Sequence, residues 1–307
     1  MSVIGFDTSN YTTSIAFKDE ERVENVSQLL PVKAGELGLR QSDAVFHHTK
    51  SLPELSSRLF CNLEIGDISA IGVSTRPRNV AGSYMPCFMV GYSHAKILSN
   101  VLHVPLYEFS HQEGHVAAVA WSANRMDLLD TPHLAWHLSG GTTELLYVEP
   151  DGKSVRCTKI GGTSDISAGQ LIDRTGQLLE VPFPSGKYLD KMSLESKKDE
   201  FFRVKCNEIT FSLSGVQNKV QEYHAKYTDA TETAGYALRS VCKTILCATE
   251  NAMKLYPGLP VVFSGGVSAN CMLRNIMQPV NPIFADPQYS TDNALGIAVL
   301  TSRSQEA

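Results

Sequence analysis

The sequence predicts an α/β protein in which one structural plan occurs twice. Near the start, residues 3–6 and 11–17 are rich in β-forming side chains and flank a polar turn. At mid-chain, residues 133–138 and 144–148 repeat this arrangement around a glycine-containing turn. A later strand runs through a second glycine pair into a helix, and residues 233–253 have apolar positions at helical spacing. These observations indicate an internally duplicated architecture rather than a tandem array of short repeats.

Composition places the chain among globular proteins with a sizeable core. It has 307 residues, 43% of them hydrophobic and 19% charged, which suits two ordinary domains or one large one. Its net charge of −5 argues against a stand-alone nucleic-acid binder, because phosphate contacts need Lys and Arg. No apolar run reaches the length of a membrane span, no secretory signal opens the chain, and the seven cysteines form no Cys-x-x-Cys pair. We therefore expect a cytoplasmic protein without a membrane segment.

The first hairpin turn, Asp7-Thr8-Ser9-Asn10, can present hydroxyls and backbone N–H groups to a phosphate. On this segment alone, an ordinary polar turn is the favoured interpretation. Residues 24–30 are a candidate third strand of the same sheet.

Two histidines four residues apart, His111 and His115, follow a strand-like segment at residues 104–107 and open a candidate helix. On a helix, side chains at i and i+4 stand on one face, so two imidazoles can hold one metal ion that takes a third ligand from elsewhere. The alternative is a surface helix with two unrelated histidines. A second pair, His47-His48, is interpreted as a surface pair near a helix start.

Two glycine turns follow predicted strands in the second half. Ser139-Gly140-Gly141 ends one strand, and Gly265-Gly266 follows residues 259–263 and precedes Asn270 and a helix that begins at Cys271. Glycine lets backbone N–H groups approach an anion closely, and a helix N-terminus favours negative charge. The two turns therefore predict a nucleotide site, with Asn270 available for hydrogen bonds.

The chain resembles the TsaD family, the tRNA threonylcarbamoyladenosine synthases of the actin-like ATPase (ASKHA) superfamily, nearly from end to end. The segments similar to family motifs are Asp7-Thr-Ser9, His111-Gln-Glu-Gly-His115, Leu138-Ser-Gly-Gly-Thr-Thr-Glu-Leu145, Asp165-Ile-Ser-Ala-Gly-Gln-Leu-Ile-Asp173, Pro184-Ser-Gly186, Phe211-Ser-Leu-Ser-Gly215, Gly265-Gly-Val-Ser-Ala-Asn270 and Ser290-Thr-Asp-Asn-Ala294.

This resemblance implies an actin-like α/β fold of two ribonuclease-H-like lobes with a central cleft. The first lobe is expected to span residues 1–108 and to be completed by a C-terminal helix at 291–307, and the second to span residues 109–290 and carry both sites. The implied metal ligands are His111, His115 and Asp292. The implied nucleotide-binding residues are Leu138, Ser139, Gly140, Gly141, Thr142, Asp173, Gly186, Gly265, Gly266 and Asn270.

The activity implied by the resemblance is transfer of the threonylcarbamoyl group from threonylcarbamoyl-AMP to N6 of adenine 37 in an ANN-decoding tRNA. The implied cofactor is one divalent metal, Fe or Zn, and the expected partners are tRNA and TsaB-like and TsaE-like subunits. No residue is predicted as the general base; His47-His48 and Asp173 are the candidates.

Five departures from the family pattern fall on groups expected to contact the acyl donor, the tRNA or partner subunits, and they leave the acceptor less well supported than the donor. Asp7 stands for Glu, Asn10-Tyr11-Thr12 for Cys-Asp-Glu, Thr142 for His, Gln170 for Glu and Gln217 for Lys. The chain is therefore interpreted as a divergent member or paralogue. The alternatives are a non-catalytic scaffold of a tRNA-modification complex, which the intact metal ligands argue against, and a carbamoyl or acyl transferase with another acceptor. An actin-like sugar kinase is the weakest alternative, because it leaves the histidine pair unexplained.

Overall fold

The structure, a computed structural model, describes residues 2–9, 11–32, 39–61, 63 and 66–306, so Asn10 lies outside the described residues. The chain divides into two compact units. Unit 1 comprises Met1–Pro132, Val148–Cys157 and Thr291–Ala307, and unit 2 comprises His133–Tyr147 and Thr158–Ser290. Within the described ranges, every helix is too short or too polar to span a bilayer.

Strands and helices are interspersed along the chain. The strands are β1 (Ser2–Asp7), β2 (Thr12–Lys18), β3 (Val23–Leu29), β4 (Ile68–Arg76), β5 (Leu106–Ser110), β6 (His133–Leu138), β7 (Thr143–Asp151), β8 (Ser154–Thr163), β9 (Thr210–Phe211), β10 (Val261–Ser264) and β11 (Ile283–Phe284). The α-helices are α1 (Gln41–Phe60), α2 (Phe88–Leu102), α3 (His111–Ser122), α4 (Ala168–Leu178), α5 (Gly186–Leu194), α6 (Ser214–Tyr227), α7 (Ala230–Leu255), α8 (Cys271–Met277) and α9 (Leu295–Ser304). Short 3-10 helices occupy Met126–Leu129, Gly266–Ala269, Gln278–Val280 and Pro287–Tyr289.

The five-stranded sheet of unit 1 has the order β3-β2-β1-β4-β5. β1 and β3 pair antiparallel with β2, while β4 pairs parallel with both β1 and β5. Because side chains alternate along a strand, Ile4 and Phe6 of β1 reach one face, where they pack with Leu52 and Leu55 of α1.

The opposite face of this sheet binds α9 through small side chains. The residues of that contact are Val3, Ala16, Ala70, Ala294 and Ala298. A Cβ at Gly5 would lie 2.8 Å from the Ala294 carbonyl oxygen, so glycine is needed for the helix to lie this close. The start of α9 is thereby fixed at the end of β1.

The histidine-bearing helix α3 also packs directly on α9. A Cβ at Gly296 would collide with the carbonyl group of Gly114, so the two helices meet backbone to backbone. This contact places residues 109–132 in unit 1. The observed division therefore differs from the expected boundary at 108/109, which assigned α3 to the second lobe. The sequence pattern does not reveal that Gly114 and Gly296, which are 182 positions apart, meet.

The six-stranded sheet has the order β11-β10-β6-β7-β8-β9. Its strands belong to unit 2, except for the end of β7 from Val148 and the start of β8 up to Cys157, which fall in unit 1. Its centre is buried: Trp136 of β6 and Phe263 of β10 are fully enclosed, and the Trp136 indole N–H donates to the Thr249 hydroxyl of α7 at 2.9 Å. The expected core helix at residues 233–253 is the middle of α7.

The duplication expected from the sequence is confirmed by strand order. In unit 1 the first three strands lie in the order β3-β2-β1, followed by β4 and β5. In the six-stranded sheet the strands β8-β7-β6 are followed by β10 and β11 in the same way, with β9 added at the outer edge.

Candidate metal centre and nucleotide site

The histidine pair opens α3 behind a capping box. The Ser110 hydroxyl accepts the Glu113 N–H at 3.2 Å, and the Glu113 carboxylate accepts the Ser110 N–H at 2.7 Å. This cap fixes where the helix begins, with His111 as its first residue and His115 one turn later. The two Nε2 atoms lie 3.0 Å apart, as the i, i+4 spacing predicts.

Asp292 completes the cluster from the turn before α9. Its Oδ1 lies 3.4 Å from His111 Nε2 and 3.3 Å from His115 Nε2. The turn is held by β2 and β3, because the Ala294 N–H donates to the Ser14 hydroxyl at 2.9 Å and to the Asn25 side-chain oxygen at 3.1 Å. The three residues that the resemblance implied are thus brought together within unit 1.

The dimensions of this triangle fit a metal ion. Zn–N and Zn–O bonds are about 2.0–2.1 Å, so neighbouring ligands are about 3.3 Å apart in tetrahedral and about 3.0 Å apart in octahedral coordination. The three observed separations, 3.0, 3.3 and 3.4 Å, fall in that range. Two imidazoles and one carboxylate on one face leave further coordination positions for a substrate.

The charges in the cluster are strongly coupled. Burial alone would lower the pKa of His111, but the Asp7 and Asp292 carboxylates raise it to about 10. Burial and the positive charge on His111 lower the pKa of His115. Burial opposes ionisation of Asp292, yet the two histidines hold its pKa well below the usual value. A bound cation would take the place of the proton on His111.

The second histidine pair is not a surface pair at a helix start. His47 and His48 lie within α1, and the ring of His48 is fully buried with Nδ1 2.8 Å from the Thr13 hydroxyl. The interpretation from the sequence was wrong. α1 begins at Gln41, six residues before the pair, and His48 lies on the face of this helix that packs against β2. Enclosed in this way, His48 is not placed to take a proton from a substrate.

His48 should make stability depend on pH. Burial lowers its pKa from 6.5 to about 4, although the Asp7 carboxylate partly opposes the shift. Below pH 6.5 the unfolded chain binds a proton that the folded chain does not, so stability falls as the pH drops and levels off near pH 4. The loss from this residue is on the order of 3 kcal/mol. Urea unfolding at several pH values measures this effect. The free energy of unfolding of His48→Gln should depend less on pH between 6.5 and 4 than that of the unaltered protein. An equal pH dependence in both proteins would contradict the role assigned to His48.

The first glycine turn of unit 2 joins β6 to β7. The Ser139 N–H donates to the Thr142 carbonyl at 2.8 Å, and the Thr142 N–H donates to the Ser139 hydroxyl at 3.1 Å. The Ser167 hydroxyl at the start of α4 donates to the Gly140 carbonyl at 2.6 Å. A Cβ at Gly169 would lie 2.5 Å from the Gly140 Cα, so α4 begins directly against this turn.

The second glycine turn lies beside the first. β10 pairs parallel with β6, and Ser264 is opposite His137, so both turns leave the carboxyl ends of neighbouring strands. Gly265 has φ +85° and a Cβ there would collide with the Leu138 carbonyl group. Ligands of α/β sheets bind outside the carboxyl ends of parallel strands, which is where these turns meet.

Two predicted binding residues connect α4 to α5. Asp173 accepts the Ser185 N–H at 2.9 Å through Oδ1, and burial raises the pKa of its carboxyl group. Gly186 begins α5, and a Cβ at Gly186 or Gly141 would meet no described atom within 4 Å. Neither glycine has the left-handed backbone that favours glycine. Packing therefore does not require glycine at either position, and both leave open space.

The N-terminus of α8 is already bonded within the protein. The Asn270 side-chain oxygen accepts the Leu273 N–H at 2.9 Å, and the Asp190 carboxylate accepts the Cys271 N–H at 2.9 Å. A negative charge thus occupies the place where the sequence predicted a nucleotide phosphate. The Asn270 oxygen is engaged by the helix N-terminus, so its side-chain NH2 group is the part that can donate to a ligand, and the glycine turns are the better candidates for phosphate contact.

Four of the five departures from the family pattern can be related to contacts in the structure. Gln170 completes a capping box with Ser167 at the start of α4. Gln217 accepts a hydrogen bond from Arg174 at 2.7 Å. Thr142 closes the first glycine turn through its backbone. Asp7 lies beside the candidate metal centre, with its Oδ2 2.6 Å from His111 Nδ1, and was not among the predicted site residues.

Asp7 and Asp190 are the site neighbours that the sequence did not reveal. Asp7 is an acidic residue at the end of the first strand, which is a recognisable sequence feature. Its contact, His111 of α3, is 104 residues away, so the sequence does not show what the acid binds. Asp190 lies one turn into α5, where an acid is an ordinary surface residue, and its contact with α8 depends on packing.

Comparison with known proteins supports the same family. A family model described as TsaD, tRNA N6-adenosine threonylcarbamoyltransferase, matches residues 33–299. The protein of that name from Carboxydothermus hydrogenoformans is 30% identical over 311 residues, covering 96% of this chain and 90% of that protein.

Solved structures are similar in fold at low sequence identity. Full-length HypF in its phosphate- and nucleotide-bound form has a TM-score of 0.62 at 14% identity and covers 99% of this chain and 46% of its own. The ROK hexokinase of Thermus thermophilus has a TM-score of 0.53 at 14% identity and covers all of both chains. These similarities confirm the expected actin-like ATPase fold. Because the family model spans most of the sequence and a relative is 30% identical along nearly all of it, the chain belongs to the TsaD family of tRNA N6-adenosine threonylcarbamoyltransferases.

Proposed function

We propose that this chain transfers a threonylcarbamoyl group from threonylcarbamoyl-AMP to N6 of adenine 37 in tRNA, with one divalent metal, Fe or Zn, held by His111, His115 and Asp292. The observation that carries the proposal is the triangle of three ligand atoms, 3.0 to 3.4 Å apart, in a member of this family. A non-catalytic scaffold would have no use for such a cluster.

In the proposed reaction, the adenine N6 amine attacks the carbamoyl carbon of the donor. A C–N bond forms, the bond from that carbon to the phosphate oxygen breaks, AMP leaves, and N6 loses one proton. When bound, the metal would supply Lewis-acid stabilisation of donor oxygens. The chain holds the three ligands rigidly, because the capped start of α3 and the anchored start of α9 fix their positions.

We assign the adenylate part of the donor to unit 2. The proposed contacts are Leu138, Ser139, Gly140, Gly141, Thr142, Asp173, Gly186, Gly265, Gly266 and Asn270. The support is the adjacency of the two glycine turns and the open space at Gly141 and Gly186. The free oxygen of Asp173 is suited to accept a hydrogen bond from a ribose hydroxyl.

Reconstitution tests the activity. The purified chain is combined with a threonylcarbamoyl-AMP synthase, candidate helper proteins and unmodified tRNA, and AMP release and modified adenosine are measured. We expect both products, and neither with His115→Ala. Donor turnover without modified tRNA, for every tRNA tried, would favour a paralogue with a different acceptor.

We propose that the protein acts in the cytoplasm with TsaB-like and TsaE-like subunits. The net charge of −5 gives little electrostatic grip on tRNA. In unit 1, the surface of α2 carries exposed apolar side chains at helical spacing: Met89, Ile97 and Val101 are 45%, 64% and 68% exposed. Such a stripe is typical of a helix that packs against a partner.

The α2 stripe gives a prediction for the TsaB-like partner. Ile97→Glu/Val101→Glu places two charges where an apolar contact is expected, so affinity for a TsaB-like protein should fall at least about tenfold while the chain remains folded. Calorimetry measures the affinity. The matched control adds two charges to the exposed positions Asn218 and Gln221 of α6, as Asn218→Glu/Gln221→Glu. Equal weakening by both double variants would assign the effect to charge rather than to the stripe.

A further inference from the structure

The two ring nitrogens of His111 face two different carboxylates. Nε2 points into the metal centre, 3.4 Å from Asp292, while Nδ1 lies 2.6 Å from Oδ2 of Asp7. An ionised carboxylate can only accept hydrogen bonds, so Nδ1 must carry the proton in this contact. When Nδ1 carries the proton of a neutral imidazole, the lone pair is on Nε2, which is the nitrogen that faces Asp292 and His115.

Asp7 is itself held in place. It is the last residue of β1, paired with Ser14 of β2, and it is 1% exposed. Its second oxygen, Oδ1, accepts the Ser9 N–H at 2.8 Å. Each carboxylate oxygen therefore has a defined donor, and the sheet fixes the backbone from which the side chain extends.

From this geometry we propose that Asp7 is a positioning residue for His111: its carboxylate fixes the ring orientation and the tautomer that presents Nε2 to the metal. The inference rests on the proposed metal centre. It adds a residue that does not itself bind the metal and that the i, i+4 spacing of the histidines does not reveal. Carboxylates that accept the second N–H of a metal-bound histidine make it a better ligand, and their loss commonly weakens metal binding 10- to 100-fold.

The variant Asp7→Asn separates this role from simple packing. Asparagine has the same size, but it offers one acceptor oxygen where Asp7 uses two. Either the His111 Nδ1–H or the Ser9 N–H then faces an amide NH2 group. Asp7→Glu retains the charge and both acceptors, so it should bind metal more tightly than Asp7→Asn.

The experiment titrates the metal-free full-length protein with Co²⁺, whose visible absorption reports its ligands. We expect Asp7→Asn to bind Co²⁺ 10- to 100-fold more weakly, with displaced absorption bands at saturation, and to bind AMP as the unaltered protein does. Asp67→Asn, the same change at an exposed position of unit 1, should leave Co²⁺ affinity unchanged. Equal Co²⁺ affinity in Asp7→Asn and the unaltered protein would overturn the role of Asp7 while the metal centre stands. Absence of Co²⁺ binding in the unaltered protein would overturn both.

If Asp7→Asn does not fold, the unaltered protein supplies the test. Nitrogen-15 NMR of its Zn²⁺ complex should show the His111 proton on Nδ1 and the metal on Nε2. The opposite attachment would overturn the inference.

Discussion

The unaltered protein should purify with near-stoichiometric metal, and His111→Ala/His115→Ala should purify without it and form no modified adenosine. The change removes two of three ligand atoms that lie 3.0 to 3.4 Å apart. A single carboxylate on a partly exposed turn does not retain a divalent ion. Removal of a residue that only supports a metal ligand commonly weakens metal binding up to roughly 100-fold, and the loss of two ligands should weaken it further. Elemental analysis for Fe and Zn measures the content, and it also identifies the metal.

The control for this double variant is His94→Ala. His94 lies in α2 of the same unit, with its ring bonded to the Val90 carbonyl rather than to the cluster. Removing both histidines also leaves Asp292 without the groups that hold its pKa low, so folding should be checked by thermal unfolding. Asp292→Asn removes the third ligand with little change of shape and should also lose the metal. Equal metal content in the double variant and the unaltered protein would show that the ion is bound elsewhere.

The local parts of this fold could be predicted from the sequence. The first hairpin, the glycine turns and the helix that begins at Cys271 follow from turn chemistry and β-forming residues next to each other in the chain. The histidine pair has the same local character, since a spacing of four residues determines which side chains share a helical face.

What the sequence alone left open depends on contacts between distant segments. Asp292 was assigned through resemblance to a family, and the structure brings it to the histidines by packing α9 on α3 at Gly296 and Gly114. The same contact moves the unit boundary away from residue 108. His48 was misplaced because its burial depends on how α1 lies on β2. In each case, the position of the residue depends on a contact between segments that are far apart in the sequence, which hydrophobic periodicity and turn residues do not reveal.

Gly186→Val should weaken the binding of AMP while leaving stability nearly unchanged. Gly186 is the first residue of α5, its backbone is not left-handed, and a Cβ there meets no described atom within 4 Å. A Cβ therefore fits the protein, and the larger valine side chain projects into the space assigned to the ligand. Overpacking of a tight site costs about 1–3 kcal/mol, so AMP affinity should fall roughly 5- to 150-fold. Calorimetry with AMP measures this, and Gly141→Val should behave in the same way.

Gly265→Ala is the matched opposite. Gly265 has φ +85°, and a Cβ would collide with the Leu138 carbonyl group, so even one methyl group strains the junction of β10 and β6. We expect a loss of about 3 kcal/mol or more in the free energy of unfolding, measured in urea. The space around an added Cβ thus predicts opposite effects at the two positions. A side chain at Gly265 should lower stability, whereas a side chain at Gly186 should lower the affinity for AMP. If Gly186→Val bound AMP as tightly as the unaltered protein, the space beside α5 would not be the adenylate site, whatever the outcome at Gly265.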